Sequence, residues 1–274
     1  MLKPVQEFSQ FASVDRAQDP DAFVRFLDTI NQMEPVQEVK RRTIELLDVR
    51  EGEHILDVGC GLGDVVQMIA KKVGQSGQVV GIDQSEIMLA EAKRRASDSG
   101  LPIEFKPGRA QQLEFPANSF NGCRADRVLL YVENPAAVLA EMTRVTKPGG
   151  RIVNFEPDWQ TSVVDNPDRA LTRRIFDFWC DSLPNGWLGR QLPRLHKELG
   201  LIDTSVQVLT LPLTTYKLFN DIFMVEGTIE RAKNSGAITV NEAEDWLGAL
   251  KEADKAGCFF FATSGFLVGS RKPN

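Results

Sequence analysis

The stretch His54-Ile-Leu-Asp-Val-Gly-Cys-Gly-Leu-Gly-Asp64 decides how this chain folds. A short apolar run ends in three glycines at every second position, and a helical pattern begins directly after them. Gly59 and Gly61 let the backbone turn tightly and lie against a ligand where a Cβ would collide. Gly63 lets the following helix approach the strand. The first turn of that helix presents unpaired N–H groups and a partial positive charge. The spacing is G-x-G-x-G, whereas dinucleotide folds carry G-x-G-x-x-G. Asp57 before the first glycine and Asp64 after the last place negative potential where a pyrophosphate would lie. The turn therefore suits a positively charged ligand better.

Outward from this turn, the next strand reads Gln78-Val-Val-Gly-Ile-Asp83. A carboxylate at that strand end can accept two hydrogen bonds from a ribose diol. Its competing use is to cap the next helix together with Ser85. Further strands are predicted at 102–106, 120–126 and 150–156, with helices at 63–73, 85–97 and 135–146. Asn134 can cap the last of these helices, Pro135 starts it and Lys147-Pro-Gly-Gly stops it. Strands and helices alternating over such short connections imply a parallel sheet covered on both faces. Upstream, residues 1–18 read as a polar arm. A helix from Asp19-Pro20 carries the stripe Phe23, Phe26, Leu27 and Ile30, and a second after Pro35 carries Val36, Val39, Leu46 and Leu47. Downstream, helices are predicted at 166–181, 188–199, 214–233 and 240–256, with strands at about 201–210 and 258–269.

A chain of 274 residues can bury one good-sized core with smaller additions. Its net charge of −6 argues against a broad phosphate-neutralising surface for nucleic acid or anionic membrane. Cys60, Cys123, Cys180 and Cys258 form no C-x-x-C pair, and only His54 and His196 are available to join them. Free, mostly buried thiols and no metal site are expected. No apolar run approaches the ~18 residues of a membrane span, and the start of the sequence has no signal-peptide core. A cytoplasmic location is expected.

Taken in order, LDVGCGLGD (56–64), GIDQSEIML (81–89), GRAQQLEFP (108–116), DRVLLYVENP (126–135), EMTRVTKPGGRI (141–152) and EPDW (156–159) resemble the class I S-adenosylmethionine-dependent methyltransferases. The resemblance is strongest to the branch of the ubiquinone and menaquinone C-methyltransferases, the type 11 domain, and covers roughly residues 45–160. It implies an α/β, Rossmann-like, doubly wound seven-stranded sheet with its last strand antiparallel, plus helical lid additions. CFFFATSGFLVG suits that last strand. The implied organisation is an N-terminal helical arm or lid at 1–50 and a methyltransferase domain at 51–274, with a lid insertion at about 212–257.

The implied cofactor is S-adenosyl-L-methionine. Asp57, Gly59, Cys60, Gly61 and Gly63 match the motif around its methionine portion and sugar, and Asp83 matches the ribose-binding acid. Gln84 and Met88 sit where adenine is flanked. Arg109, Ala110 and Gln111 match the adenine loop, commonly written G-D-A; Arg109 replaces its aspartate, which leaves that contact to Gln111 or a backbone carbonyl. Arg124 falls where the family's backbone often receives the ligand's ammonium. Phe120-Asn121 stands where Phe-Asp is usual and reads as a structural variation.

The activity this implies is methyl transfer to a small, hydrophobic molecule by in-line attack. A general base is needed only if the nucleophile must lose a proton. Tyr131 after the fourth strand and Asp158 after the fifth fall at carboxyl ends of strands, where active-site loops converge. His196, on an exposed-looking helix, is the third catalytic candidate, while His54 reads as core-facing. Trp159, Phe178, Trp179, Trp187, Phe219, Phe223 and Trp246 either line an acceptor pocket or fill the core. The competing functions are an RNA or protein methyltransferase, a dinucleotide-dependent oxidoreductase, and a non-catalytic cofactor-binding protein.

Overall fold

A computed structural model describes residues 8–274. Part of the arm expected at 1–18, residues 1–7, lies outside the described residues. Helices α1 (Asp21–Asn31) and α2 (Glu34–Leu47) precede the sheet. Then β1 (His54–Val58), α3 (Asp64–Val73), β2 (Gln78–Asp83), α4 (Glu86–Ala96), β3 (Ile103–Pro107) and β4 (Phe120–Asp126) follow. The chain continues through α5 (Pro135–Val145), β5 (Thr146–Val164), α6 (Arg169–Asp181), α7 (Leu192–Glu198) and β6 (Ile202–Leu213). It ends with α8 (Tyr216–Phe223), α9 (Val225–Asn234), α10 (Val240–Lys255) and β7 (Phe261–Arg271).

The seven strands form one sheet in the order β3-β2-β1-β4-β5-β7-β6, with β7 antiparallel to both neighbours. Burial explains why the central strands read as unbroken apolar runs. Ile55, Leu56 and Val58 of β1 and Val79 of β2 are fully buried, as are Val66, Ile69, Ala70 and Val73 of α3 above them. β1 pairs in parallel with β2 on one side and β4 on the other. The direction of winding reverses between β1 and β4, which opens a crevice at the carboxyl ends of those strands.

Several local details depart from the sequence reading. β5 extends well past 156, because Val163 and Val164 resume pairing with Ala262 and Phe261 after an irregularity beyond Asp158. The helix expected at 214–233 breaks into α8 and α9 at Met224, whose φ of 52° is left-handed. The helix expected at 188–199 starts as a 3-10 turn, Gly189–Gln191. His54 is exposed rather than core-facing, since it opens β1 at the sheet's rim. There its backbone N–H donates to Asn121 Oδ1 at 3.0 Å, and Lys147 Nζ donates to the same oxygen. That double use gives the asparagine in Phe120-Asn121 a structural purpose.

Candidate active site

The three glycines after β1 have three different tasks, although all hold positive φ (69°, 51° and 76°). A Cβ on Gly59 would lie 2.3 Å from Val128 Cγ2, so the turn packs against the loop after β4. A Cβ on Gly63 would lie 2.7 Å from Phe105 and 3.1 Å from Ala92, so Gly63 serves packing and is not on the cavity wall. That corrects its assignment as a ligand contact. A Cβ on Gly61 would meet nothing nearer than Leu27 Cδ1 at 3.9 Å. Its open side faces a cavity of about 620 Å³ at the carboxyl edge of the sheet.

Asp83 stands on the cavity wall at the end of β2. Its Oδ2 accepts the Gly61 N–H at 2.9 Å, and its Oδ1 accepts the Ser85 N–H at 2.9 Å. Burial pushes its carboxyl above the usual range, against the pull of these amides. Each oxygen keeps a lone pair for a further donor. Ser85 itself caps α4 by accepting the Met88 N–H, so the ribose and cap readings divide between two residues. Cys60, Gln84, Met88, Arg109, Ala110 and Gln111 line the same cavity. Gln84 Nε2 donates to the Ala12 carbonyl at 3.0 Å, which ties the N-terminal segment over this end.

Asp57 and Arg124 are also on the wall, and both are buried. The Arg124 guanidinium donates to Asp57 Oδ1 at 2.7 Å, Asp126 Oδ2 at 2.6 Å and Thr43 Oγ1 at 3.0 Å. Burial pushes the Asp57 carboxyl up and Arg124 opposes it. Burial acts the same way on Asp126, but Arg127 and Arg124 hold it below the usual range. Asp57 therefore shows little bare negative potential, contrary to the sequence argument. Asp64 is likewise engaged, by Asn31 Nδ2 at 2.6 Å and Lys40 Nζ at 3.2 Å. Burial lowers the Lys40 ammonium's pKa, with Asp64 opposing.

Two catalytic candidates point away from this cavity. Asp158 is buried and accepts both Nε and Nη2 of Arg190, together with the Arg190 backbone N–H. Its place in β5 next to Pro157 and Trp159, which do line the cavity, puts it on the opposite face by strand alternation. His196 is fully buried, with Nδ1 against Ser270 Oγ and Nε2 against Asn154 Oδ1, each at 2.9 Å. Burial pushes its pKa down to about 4, so the ring is a neutral strut between α7 and the sheet. Tyr131 does reach the cavity, where Phe11 stacks on it with ring centroids 6.0 Å apart. Burial raises its phenol well above the ordinary range, so it keeps its proton.

Of the aromatic candidates, Trp159 and Phe223 line the cavity. Trp179, Phe219 and Trp246 are buried in the cluster behind them, Phe178 packs against that cluster, and Trp187 is exposed. Four polar residues escaped the sequence reading. Lys40 follows Val36 and Val39 at helical spacing, which places its stem on the apolar face of α2 and was a readable signal. Arg127, Glu156 and Asn185 carried no such signal, because their roles arise from the loop after β4. Every amide of that loop from 127 to 132 is engaged. Arg127 donates its backbone N–H to the Phe155 carbonyl, and the backbone N–H groups of Val128, Leu129 and Leu130 donate to the Glu156 carboxyl oxygens at 3.0, 2.8 and 3.4 Å. Tyr131 and Val132 donate to Val128 and Leu129. Asn185 Nδ2 donates to the carbonyls of Leu129 and Val132 from the other side.

A family profile described as a methyltransferase domain matches residues 50–186, half of the chain, including the glycine turn, Asp83 and the loop after β4. The chain belongs to the class I S-adenosylmethionine-dependent methyltransferases. A 37.1 kDa protein from a transposon of Streptomyces fradiae, itself uncharacterised, is 36% identical to this methyltransferase over 250 residues, or 89% of this chain and 70% of that one. The demethylmenaquinone methyltransferase of Symbiobacterium thermophilum is 33% identical over 184 residues, covering 59% of this chain and 73% of that one. A structure of phosphoethanolamine N-methyltransferase 2 from Haemonchus contortus, with S-adenosylhomocysteine and phosphomonomethylethanolamine, superimposes with a TM-score of 0.60. It is 20% identical and covers 99% of this chain and 62% of that one, a likeness of fold.

The methyltransferase's cofactor is S-adenosylmethionine, and the residues present fit it. Gly61 leaves open the space a side chain would fill, and Asp83 offers free lone pairs toward the same cavity.

Proposed function

We propose that this methyltransferase acts on a small, hydrophobic acceptor held between the glycine turn and the helices above it. The observation that carries this reading is the continuity of one cavity from Asp83 and Ala110 to an apolar wall of Phe26, Ile30, Met33, Val36, Trp159 and Phe223. In this reading the wall is contributed by lid segments within 1–50 and 212–257, together with β5. Asp83 grips the ribose, Ala110 and Gln111 border the adenine, and the glycine turn carries the methionine portion.

When bound, the cofactor supplies a methyl group already activated by its sulfonium. The chain's task is to orient the acceptor in line and exclude water, and near-attack placement contributes up to about 7–11 kcal/mol in favourable systems. Tyr131 keeps its proton and so donates a hydrogen bond to the acceptor instead of acting as a base. The demethylmenaquinone methyltransferases among the relatives support an apolar ring as acceptor. The net charge of −6 favours a small molecule over RNA.

The test is incubation with methyl-labelled cofactor and an extract of the source organism, followed by mass identification of the labelled product. Label in a small, solvent-extractable molecule is the expected outcome. Label confined to protein or RNA overturns the reading.

A further inference from the structure

The two edges of the sheet are built differently. β3, at one edge, is short, ends on Pro107 and carries Glu104 and Lys106, whose part-exposed side chains pair at 3.0 Å. Charges and prolines guard an edge against a foreign strand. β6, at the other edge, is twelve residues long, and no charged residue occurs from Thr204 to Tyr216. Val206 and Val208 stand on it 46% and 55% exposed. Ile202 at its start and Leu218 just past its end are exposed as well. Among the described residues, half of the large apolar side chains left in solvent therefore lie on or beside one strand. A long edge without charges is a template for one more strand.

The sequence of β6 says which strand fits. After an irregularity at 202–205, its pairing with β7 runs unbroken from Ser205 to Leu213. Pro212 lies in this run, and a proline fits an edge strand where its missing N–H would face outward. By alternation Val206, Val208 and Thr210 also turn their amides and carbonyls outward. A copy of β6 laid antiparallel about a two-fold axis at Val208 sets that valine on its own counterpart and Val206 on the partner's Thr210. Every such pair is β-branched on β-branched, the side chains that suit a pleated surface. On the other face the partner's Gln207 falls beside Leu209, which with Leu211 lines the outer wall of the cavity. The same axis carries the partner's Ile202 toward the α8 end of β6, where Leu218 is exposed.

Any extended segment could satisfy the backbone of this edge; the match of the strand with itself selects a second copy of the chain. The nine residues Thr204–Pro212 give an edge about 30 Å long and about 10 Å thick on each copy. With the Ile202 and Leu218 ends added, the two copies bury about 1,000 Å² in all, the low end for a specific interface and the size of a reversible one. We propose that this methyltransferase pairs with a second copy of itself through β6, joining two seven-stranded sheets into one continuous sheet with its two-fold axis at Val208.

The test is sedimentation equilibrium on the full-length protein from about 1 to about 100 µM, where an interface of this size associates. The weight-average mass is expected to rise from 30.5 kDa toward twice that value. V208K sets a charge on the axis against its own copy and should remain at 30.5 kDa throughout. Its circular dichroism and S-adenosylhomocysteine affinity should match the wild type, since Val208 is exposed and off the cavity wall. V240K, on equally exposed α10, should associate as the wild type does. Independently, V208C in a C258S background, which removes the exposed native thiol, should form a disulfide-linked dimer on mild oxidation, and V240C in that background should not. Facing residues of an antiparallel pair are about 4.5–5.5 Å apart at Cα, within disulfide reach. Wild-type protein that stays at 30.5 kDa at the highest concentration overturns the proposal. So does a dimer that survives V208K, a mass that climbs past two copies, or the absence of a V208C cross-link. If V208K fails to fold, the cross-link decides.

Discussion

Gly61 donates its backbone N–H to Asp83 Oδ2 at 2.9 Å, which ties the glycine turn after β1 to the end of β2. The carboxylate is thereby aimed before any ligand arrives, with Ser85 N–H fixing its other oxygen. Pre-aimed groups lose little freedom on binding, so this pair should dominate the sugar's contribution to affinity.

Asp83→Ala is therefore expected to weaken S-adenosylhomocysteine binding about tenfold or more, in line with about 1.5–3 kcal/mol for hydrogen bonds to a charged group. Calorimetry on a variant with intact circular dichroism decides it. Unchanged affinity would remove Asp83 from the ribose.

Gly61→Val and Gly59→Val should fail in different ways. A side chain on Gly61 enters open cavity, so binding should be abolished while the sheet persists, with about 1–2 kcal/mol of backbone strain. A side chain on Gly59 collides with Val128 at 2.3 Å, so that variant should also melt at a clearly lower temperature. Equal melting temperatures for the two would contradict the assigned roles.

Glu156 should give the fold a pH dependence of definite sign. Burial pushes its carboxyl up to about 8 despite three amide donors, compared with 4.5 for an unhindered glutamate. Between those values the folded state holds more protons than the unfolded one, so this group's contribution to stability is full below 4.5 and is lost as pH rises through 8. The slope from one group is at most about 1.4 kcal/mol per pH unit. Denaturant titrations from pH 5 to 8 should show the decline in the wild type and a flatter curve in Glu156→Gln. Parallel curves would refute the raised pKa.

His196 titrates in the opposite sense. Its pKa is pushed down to about 4 from 6.5, so its contribution is full above 6.5 and is lost as pH falls toward 4. His196→Gln should lower stability by about 1–3 kcal/mol through one lost buried partner. Turnover per folded molecule should not change. A large fall in turnover with normal stability would restore His196 as a catalytic group.

The crevice and its cofactor half were legible because they depend on local signals: a glycine turn, a carboxylate at a strand end, and helix stops such as Lys147-Pro-Gly-Gly. The alternation of strands and helices announced a parallel sheet with helices on both faces, but not the order of its strands. The catalytic half was less legible, for physical reasons. Asp158 and Trp159 are neighbours in sequence yet face opposite sides of β5, and which side is the site depends on the packing of the 185–191 segment. His196 looked exposed because its partners, Asn154 and Ser270, lie 42 and 74 residues away. Arg127 depends on one left-handed backbone angle, which no residue preference announces for arginine.

The loop clamped between Glu156 and Asn185 has a bearing on how such an enzyme diversifies. With its amides committed behind it, the segment forms a rigid mount that presents Arg127 and Tyr131 to the cavity as interchangeable fittings. Replacing one of those side chains should retune which molecule is accepted without refolding the mount. Directed evolution toward new acceptors should accumulate changes at 127 and 131 and spare 156 and 185.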